Sequence, residues 1–219
     1  MLFRSRAVAL VVADFAVIGS RDPMEALRAR LAVVPVLAQA LHGRPWERDF
    51  AAVLMPWHAH LRPLLAGLAP LWTHNDFHAS NLLWREGPET QVSAVLDFGL
   101  ANRTCAAFDL ATALERNCVE WLRLDDGTTD IAHAELARAL IGGYRQAHTI
   151  SPLELAAVAD LLPLVHVEFA LSELAYFHGV LASPAKSELA YGGFLLDHAR
   201  WFATPAGAAF LRVVRDACA

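Results

Sequence analysis

Residues 73–84 read THNDFHASNLLW, and residues 95–101 read VLDFGLA. The first stretch is crowded with hydrogen-bonding side chains although apolar residues flank it. Its spacing is H-x-D-x4-N, carried by His74, Asp76 and Asn81, and Asp97 of the D-F-G follows Asn81 by 16 residues. Two short runs of β type, near 81–84 and 92–97, are separated by the turn-rich connector REGPET, so a loop is expected to feed a hairpin. Asp97 ends the apolar run Val92, Ala94, Val95, Leu96, so a fixed element delivers its carboxylate, and Phe98-Gly99 then permits a sharp turn.

Phosphoryl transfer needs this set of groups. One carboxylate must orient the acceptor hydroxyl and take its proton. A second must hold a Mg2+ that bridges phosphate oxygens, and a neutral amide oxygen can complete the metal shell without adding repulsive charge. Asp76 fits the first role, Asp97 the second and Asn81 the third. The competing reading is a polar turn in which Asp and Asn act only as caps.

These motifs resemble those of the aminoglycoside phosphotransferase, choline kinase and homoserine kinase-like group of small-molecule kinases. The catalytic loop of that group reads H-G-D-x-H-x-x-N, and here it stands as HNDFHASN, with the second histidine, His78, in place. The D-F-G is followed by Phe108-Asp109-Leu110-Ala111, where the group has a D-L-A helix. The likeness covers about residues 72–116. It implies a protein-kinase-like fold, ATP and Mg2+ as cofactors, Asp76 as catalytic base, and Asn81 and Asp97 as metal ligands. It further implies that Leu83 and Leu96 contact the nucleotide, and that His74, His78 and Asp109 brace the loop from behind. Acceptor amino groups would be held by helical carboxylates, of which Glu115 and Glu168 are the first candidates and Asp125, Asp126 and Glu173 the others. Glu168 stands out because VHVEFAL is apolar and an unpaired carboxylate there would be costly. Two departures occur: Asn75 for Gly, and Ala79-Ser80 for Pro-Gly. Asn tolerates the left-handed backbone that Gly would supply.

Outward from this segment the chain reads as helical. Apolar spacing predicts a helix over 23–42, with Asp22 as N-cap and Pro23 in the first turn, kinked or divided at Pro35. A second spans 47–68, broken at Pro56 or Pro63. Further helices are expected near 108–123, 130–147, 152–181, 187–203 and 206–217, with Asp130, Ser151 and Thr204 as caps. Gly127 and Gly142-Gly143 read as breaks, and Pro163 as a kink or division. The expectation is an α+β chain, mostly α: one helical lobe over 1–219 with a short central β-hairpin.

Composition narrows the partners. The chain has 219 residues, 56% hydrophobic and 19% charged, with a formal net charge of −5 and no basic run, which argues against nucleic acid. Arg4 and Arg6 before an apolar run imitate a signal peptide, but Asp14 interrupts it. The remaining uncharged stretches are too short to span a membrane. Three scattered cysteines form neither a disulfide framework nor a zinc pattern, so a cytoplasmic setting is expected. His58 and His60, two residues apart, do not share a helix face. They and His42 read as surface or core residues, and the six tryptophans as core or interface.

One part of such a kinase has no counterpart. Only 73 residues precede His74, and they hold no lysine, no Gly-rich loop and no series of strands; the only lysine is Lys186. The expectation is therefore a protein-kinase-like C-terminal lobe lacking its β-rich N-terminal lobe: a truncated gene product, a misassigned start, or half of a two-chain enzyme. A partner chain or a second copy would then cover the exposed surface. Two readings follow: a phosphotransferase acting on the hydroxyl of a small polar molecule, weak or inactive alone, or a non-catalytic kinase-like lobe that binds a partner.

Overall fold

Asp22 accepts the Glu25 N–H at 3.0 Å and Pro23 occupies the first turn, so the first helix, α1 (Pro23–Val33), starts where a carboxylate can satisfy an orphan donor. The computed structural model describes residues 15–85, 87 and 91–219, Asp125 without its side chain; Arg4, Arg6, Asp14 and most of the REGPET connector lie outside the described residues. Pro35 forces Val34 out of the helical region (φ −123°, ψ 79°), dividing α1 from α2 (Pro35–Leu41). The next helical stretch is likewise two pieces, α3 (Trp46–Val53) and α4 (Met55–Leu61), with Pro56 in the first turn of α4.

Among the described residues, four strands follow in two antiparallel pairs. The strand β1 (Pro70–Thr73) pairs with β4 (Asn102–Cys105), and β2 (Leu82–Arg85) pairs with β3 (Gln91–Val95) across a bulge at Leu83/Trp84. The β2–β3 hairpin was expected. The β1–β4 pair was not, because PLWT and NRTC lack an alternating pattern and meet only through the tertiary fold.

The helix α5 (Ala106–Cys118) is buried nearly all round, as a helix enclosed by others must be. It packs on α7 (Pro152–Leu161) and α6 (Ala134–Ala147), while α11 (Pro205–Cys218) lies across α6 and α7. Next comes α8 (His166–Gly179), which packs on α2, on α9 (Pro184–Glu188) and on a π-helical stretch Leu189–Asp197 that leads into α10 (His198–Trp201). Leu110, Leu114, Leu161, Leu171 and Val158 are all fully buried in the shared core.

Several boundaries differ from expectation for identifiable reasons. Asp130 caps nothing: Glu120 N–H donates to Ile131 O and His133 N–H to Cys118 O, and this backbone pairing delays α6 to Ala134. Gly142 and Gly143 lie inside α6, where buried Ala137 and Ile141 hold the helix against α5 and α11 despite a cost near 1 kcal/mol per glycine. The helix expected over 152–181 is two helices bent by 46° at Pro163, and the one expected over 187–203 is interrupted by the π-helical turns. The helix expected over 108–123 stops at Cys118, short of a 3-10 turn at Trp121–Asp126. Ser151 caps α7 reciprocally with Glu154, and Thr204 caps α11. Among the described residues no single helix is long and apolar enough to cross a membrane, though α7 and α8 pass that test as a bent pair.

Candidate active site

The loop between β1 and β2 turns on Asn75, whose backbone is left-handed at φ 61°. Its N–H donates to Asp109 Oδ1 at 2.8 Å, and its side-chain Nδ2 donates to Leu100 O at 3.0 Å. Its Oδ1 accepts from Thr73 Oγ1 at 2.8 Å and from Thr104 Oγ1 at 3.1 Å. The side chain thus stitches β1, β4 and the D-F-G turn together, which a glycine could not do. Asp109 is not the N-cap of α5, a position held by Cys105; it sits in the first turn and faces the loop. Burial pushes its carboxyl up, and the Asn75 N–H and neighbouring His74 work against that rise.

Leu96 is the second junction. Its N–H donates to Asn81 O at 2.8 Å, and its carbonyl accepts from His74 Nε2 at 2.8 Å. His74 Nδ1 accepts the Asp76 N–H at 3.3 Å, so the proton resides on Nε2 and the ring bridges the Asp76 loop to the segment between β3 and Asp97. The His74 ring also lies 4.7 Å from Phe98. His74, Asp76, Asn81 and Asp97 are therefore brought together. Asn81 Nδ2 donates to Asp76 O at 2.9 Å and lies 3.5 Å from Asp76 Oδ2, so Oδ1 is the atom of this amide that could act as a ligand. Asp97 is exposed, left-handed at φ 57°, and accepts the Gly99 N–H at 3.3 Å. An exposed carboxylate, one residue beyond the Leu96 that bonds Asn81, together with an amide oxygen is a donor set that fits a divalent cation bound to phosphate.

His78 Nε2 stands 3.7 Å from Asp76 Oδ2, and its Nδ1 is 2.6 Å from Ser80 Oγ. Leu83 and Leu96 are exposed, and Trp72, Trp84, Val92 and Phe98 are exposed with them. Trp201, by contrast, is buried, as is His58, whose Nε2 lies 3.1 Å from Ile18 O; His42 and His60 are exposed.

Two residues escaped the sequence reading. Asn117 Oδ1 accepts the Ala79 N–H at 2.9 Å while its Nδ2 donates to Phe77 O at 2.9 Å, clamping the far side of the loop onto α5. Arg116 Nη2 lies 2.9 Å from Asp76 Oδ1 as an ion pair without hydrogen-bond alignment, and its guanidinium covers the Phe169 ring at 4.5 Å. The available signal was spacing: Asp109 and Arg116 are seven residues apart, two turns along one helix face.

The two acceptor candidates fare differently. Glu168 is fully buried, and its oxygens take the Val17 N–H at 2.7 Å, the Ile18 N–H at 3.1 Å and Arg30 Nη1 at 2.6 Å. This corrects its assignment to an acceptor pocket: the carboxylate is satisfied internally and ties the chain before α1 to α8. Glu115 is also buried, with His166 Nδ1 at 3.1 Å and His198 Nδ1 at 3.2 Å from its Oε1. Asp126 is exposed, and the Asp125 side chain lies outside the described residues.

The phosphotransferase enzyme family matches residues 11–153, a span that contains the whole site. The chain belongs to this family. Two curated relatives, both named homoserine kinase, come from Caulobacter sp. (strain K31) and Phenylobacterium zucineum (strain HLK1). The first is 30% identical over 129 residues, 59% of this chain and 35% of the relative; the second is 32% identical over 129 residues, 57% and 36%. This family member thus spans about a third of the length of the relatives it matches.

Two outcomes follow from the geometry. Asn75→Gly relaxes the backbone yet strips the loop of its side-chain bonds, so thermal denaturation is expected to show a loss of about 1–3 kcal/mol; an unchanged or raised melting temperature contradicts the role given to the side chain. Burial pushes His166 down to about 4, and for Glu115 the two imidazoles outweigh a burial effect that would raise it, holding it well below the carboxylate range. The unfolded chain takes up a proton at His166 below about pH 6.5 and the folded chain does not until about 4. Stability should therefore fall between pH 6.5 and 4, by up to about 3 kcal/mol from His166, and His166→Gln should flatten that slope in urea titrations at stepped pH.

Proposed function

We propose that the chain carries the catalytic half of a small-molecule kinase, transferring the γ-phosphoryl group of ATP to the hydroxyl of a small polar acceptor. The observation that carries this reading is the double grip on Leu96, the residue before Asp97, by Asn81 and His74. Bound ATP with Mg2+ would supply the phosphoryl group and neutralise charge developing on it. Asp97 and Asn81 would hold the metal, and the exposed Leu83 and Leu96 would seat the nucleotide. Asp76 orients the acceptor hydroxyl and takes its proton as the oxygen bonds to phosphorus and the bond to ADP breaks. His74, His78, Asp109, Asn117 and Arg116 keep Asp76 in place. Homoserine is the first acceptor to try, since both relatives are named for it. Three buried, free cysteines suit a cytoplasmic setting, where ATP is supplied.

The exposed apolar side chains around the site, Trp72 at 73% and Phe98 at 61% among them, favour a second reading, a kinase-like lobe that docks a partner chain or a second copy. Activity separates the two. With Mg-ATP and homoserine or other hydroxyl acceptors, ADP release should depend on Mg2+ and fall about 100- to 10,000-fold in Asp76→Asn. Nucleotide binding without transfer to any acceptor would overturn the enzymatic reading and leave the docking lobe.

A further inference from the structure

Glu115 on α5, His166 at the start of α8 and His198 at the start of α10 converge in the interior; they are 1%, 7% and 8% exposed. Both imidazole Nδ1 atoms approach the same carboxylate oxygen, Oε1, at 3.1 and 3.2 Å, and one donor atom from each residue lies within 4.8 Å of the others. Glu115 Oε2 lies 3.9 Å from Arg116 Nε. Ligands that share one ion at about 2.0–2.2 Å stand roughly 3 Å or a little more from one another.

We propose that Glu115, His166 and His198 bind a divalent transition-metal ion of the Zn2+ class, which staples α5, α8 and α10 together. The donor set decides the class. Two imidazoles and a carboxylate suit Zn2+ and its first-row neighbours, whereas Mg2+ demands oxygen ligands, so this site is distinct from Asn81 and Asp97. The ring orientations are fixed by packing: His198 stacks on Trp121 at 3.9 Å and 9°, while His166 sits edge-on to Phe169 and Phe194. Trp121 is itself held to α5, its Nε1 donating to Glu115 O at 3.2 Å. His166 Nε2 is buried with no hydrogen-bond partner, and Nδ1 is the ring nitrogen that lies within reach of Glu115. His198 also lines a cavity of about 400 Å³, together with Trp121, Phe194, Asp197 and Trp201.

The test uses the full chain stripped with chelator. One equivalent of Zn2+ should bind, raise the melting temperature and resist millimolar Mg2+. Co2+ in its place should give the visible absorption of a four- or five-coordinate ion. Because loss of a ligand exceeds the 10- to 100-fold cost typical of second-shell changes, Glu115→Gln and His198→Gln should each weaken Zn2+ binding by roughly 100-fold or more. No stoichiometric binding, or equal binding in wild type and both variants, would overturn the proposal. Should both variants fail to fold, the wild-type Co2+ spectrum decides: the spectrum of an ion ligated by six oxygens overturns it.

Discussion

The site depends on a single residue held in a left-handed conformation. A non-glycine residue at φ 61° costs about 1–2 kcal/mol, and Asn75 offsets this with four hydrogen bonds to four different partners. Each partner belongs to a different part of the chain: Thr73 ends β1, Thr104 lies in β4, Leu100 closes the D-F-G turn, and Asp109 opens α5. Asn75 therefore converts a local backbone constraint into a tertiary one. The segments bearing Asp76 and Asp97, whose aspartates are 21 residues apart, cannot drift relative to each other while these bonds stand.

The same logic explains why α5 carries so many polar groups in so apolar a setting. Asp109 holds the loop at Asn75, Asn117 holds it at Phe77 and Ala79, and Arg116 reaches Asp76 between them. One rigid helix thus fixes both ends of the loop. Its remaining faces are packed by α6 and α7, so the positions of these side chains are inherited from the core. Glu115, on the same helix, joins α8 and α10, so α5 is the element that the loop and the helical half share.

Legibility from sequence followed the range of the interactions. His74, Asp76, Asn81 and Asp97 could be picked out as one group because they lie within a 24-residue window with recognisable spacing. The caps at Asp22, Ser151 and Thr204, the divisions at Pro35 and Pro163, and the left-handed Asn75 were legible because each is decided by neighbours in the chain. The β1–β4 pair, the Asn117 clamp and the Arg116–Asp76 pair were not, since each depends on segments that meet only when the core forms. Gly142-Gly143 misled for the complementary reason: helix propensity was overridden by packing against α11. Glu168 was rightly singled out as a buried carboxylate, but its partners, Arg30 and the backbone of Val17 and Ile18, lie at least 138 residues away.

The central claim is that the grip on Leu96 places Asp97 with Asn81 as one half of a metal–nucleotide site. Calorimetric titration of ATP into the chain, with and without Mg2+, and into Asp97→Asn tests it most directly. The account predicts binding that requires Mg2+ and is lost in the variant. ATP binding that is indifferent to Mg2+ or to Asp97, or no binding at millimolar nucleotide, would contradict it.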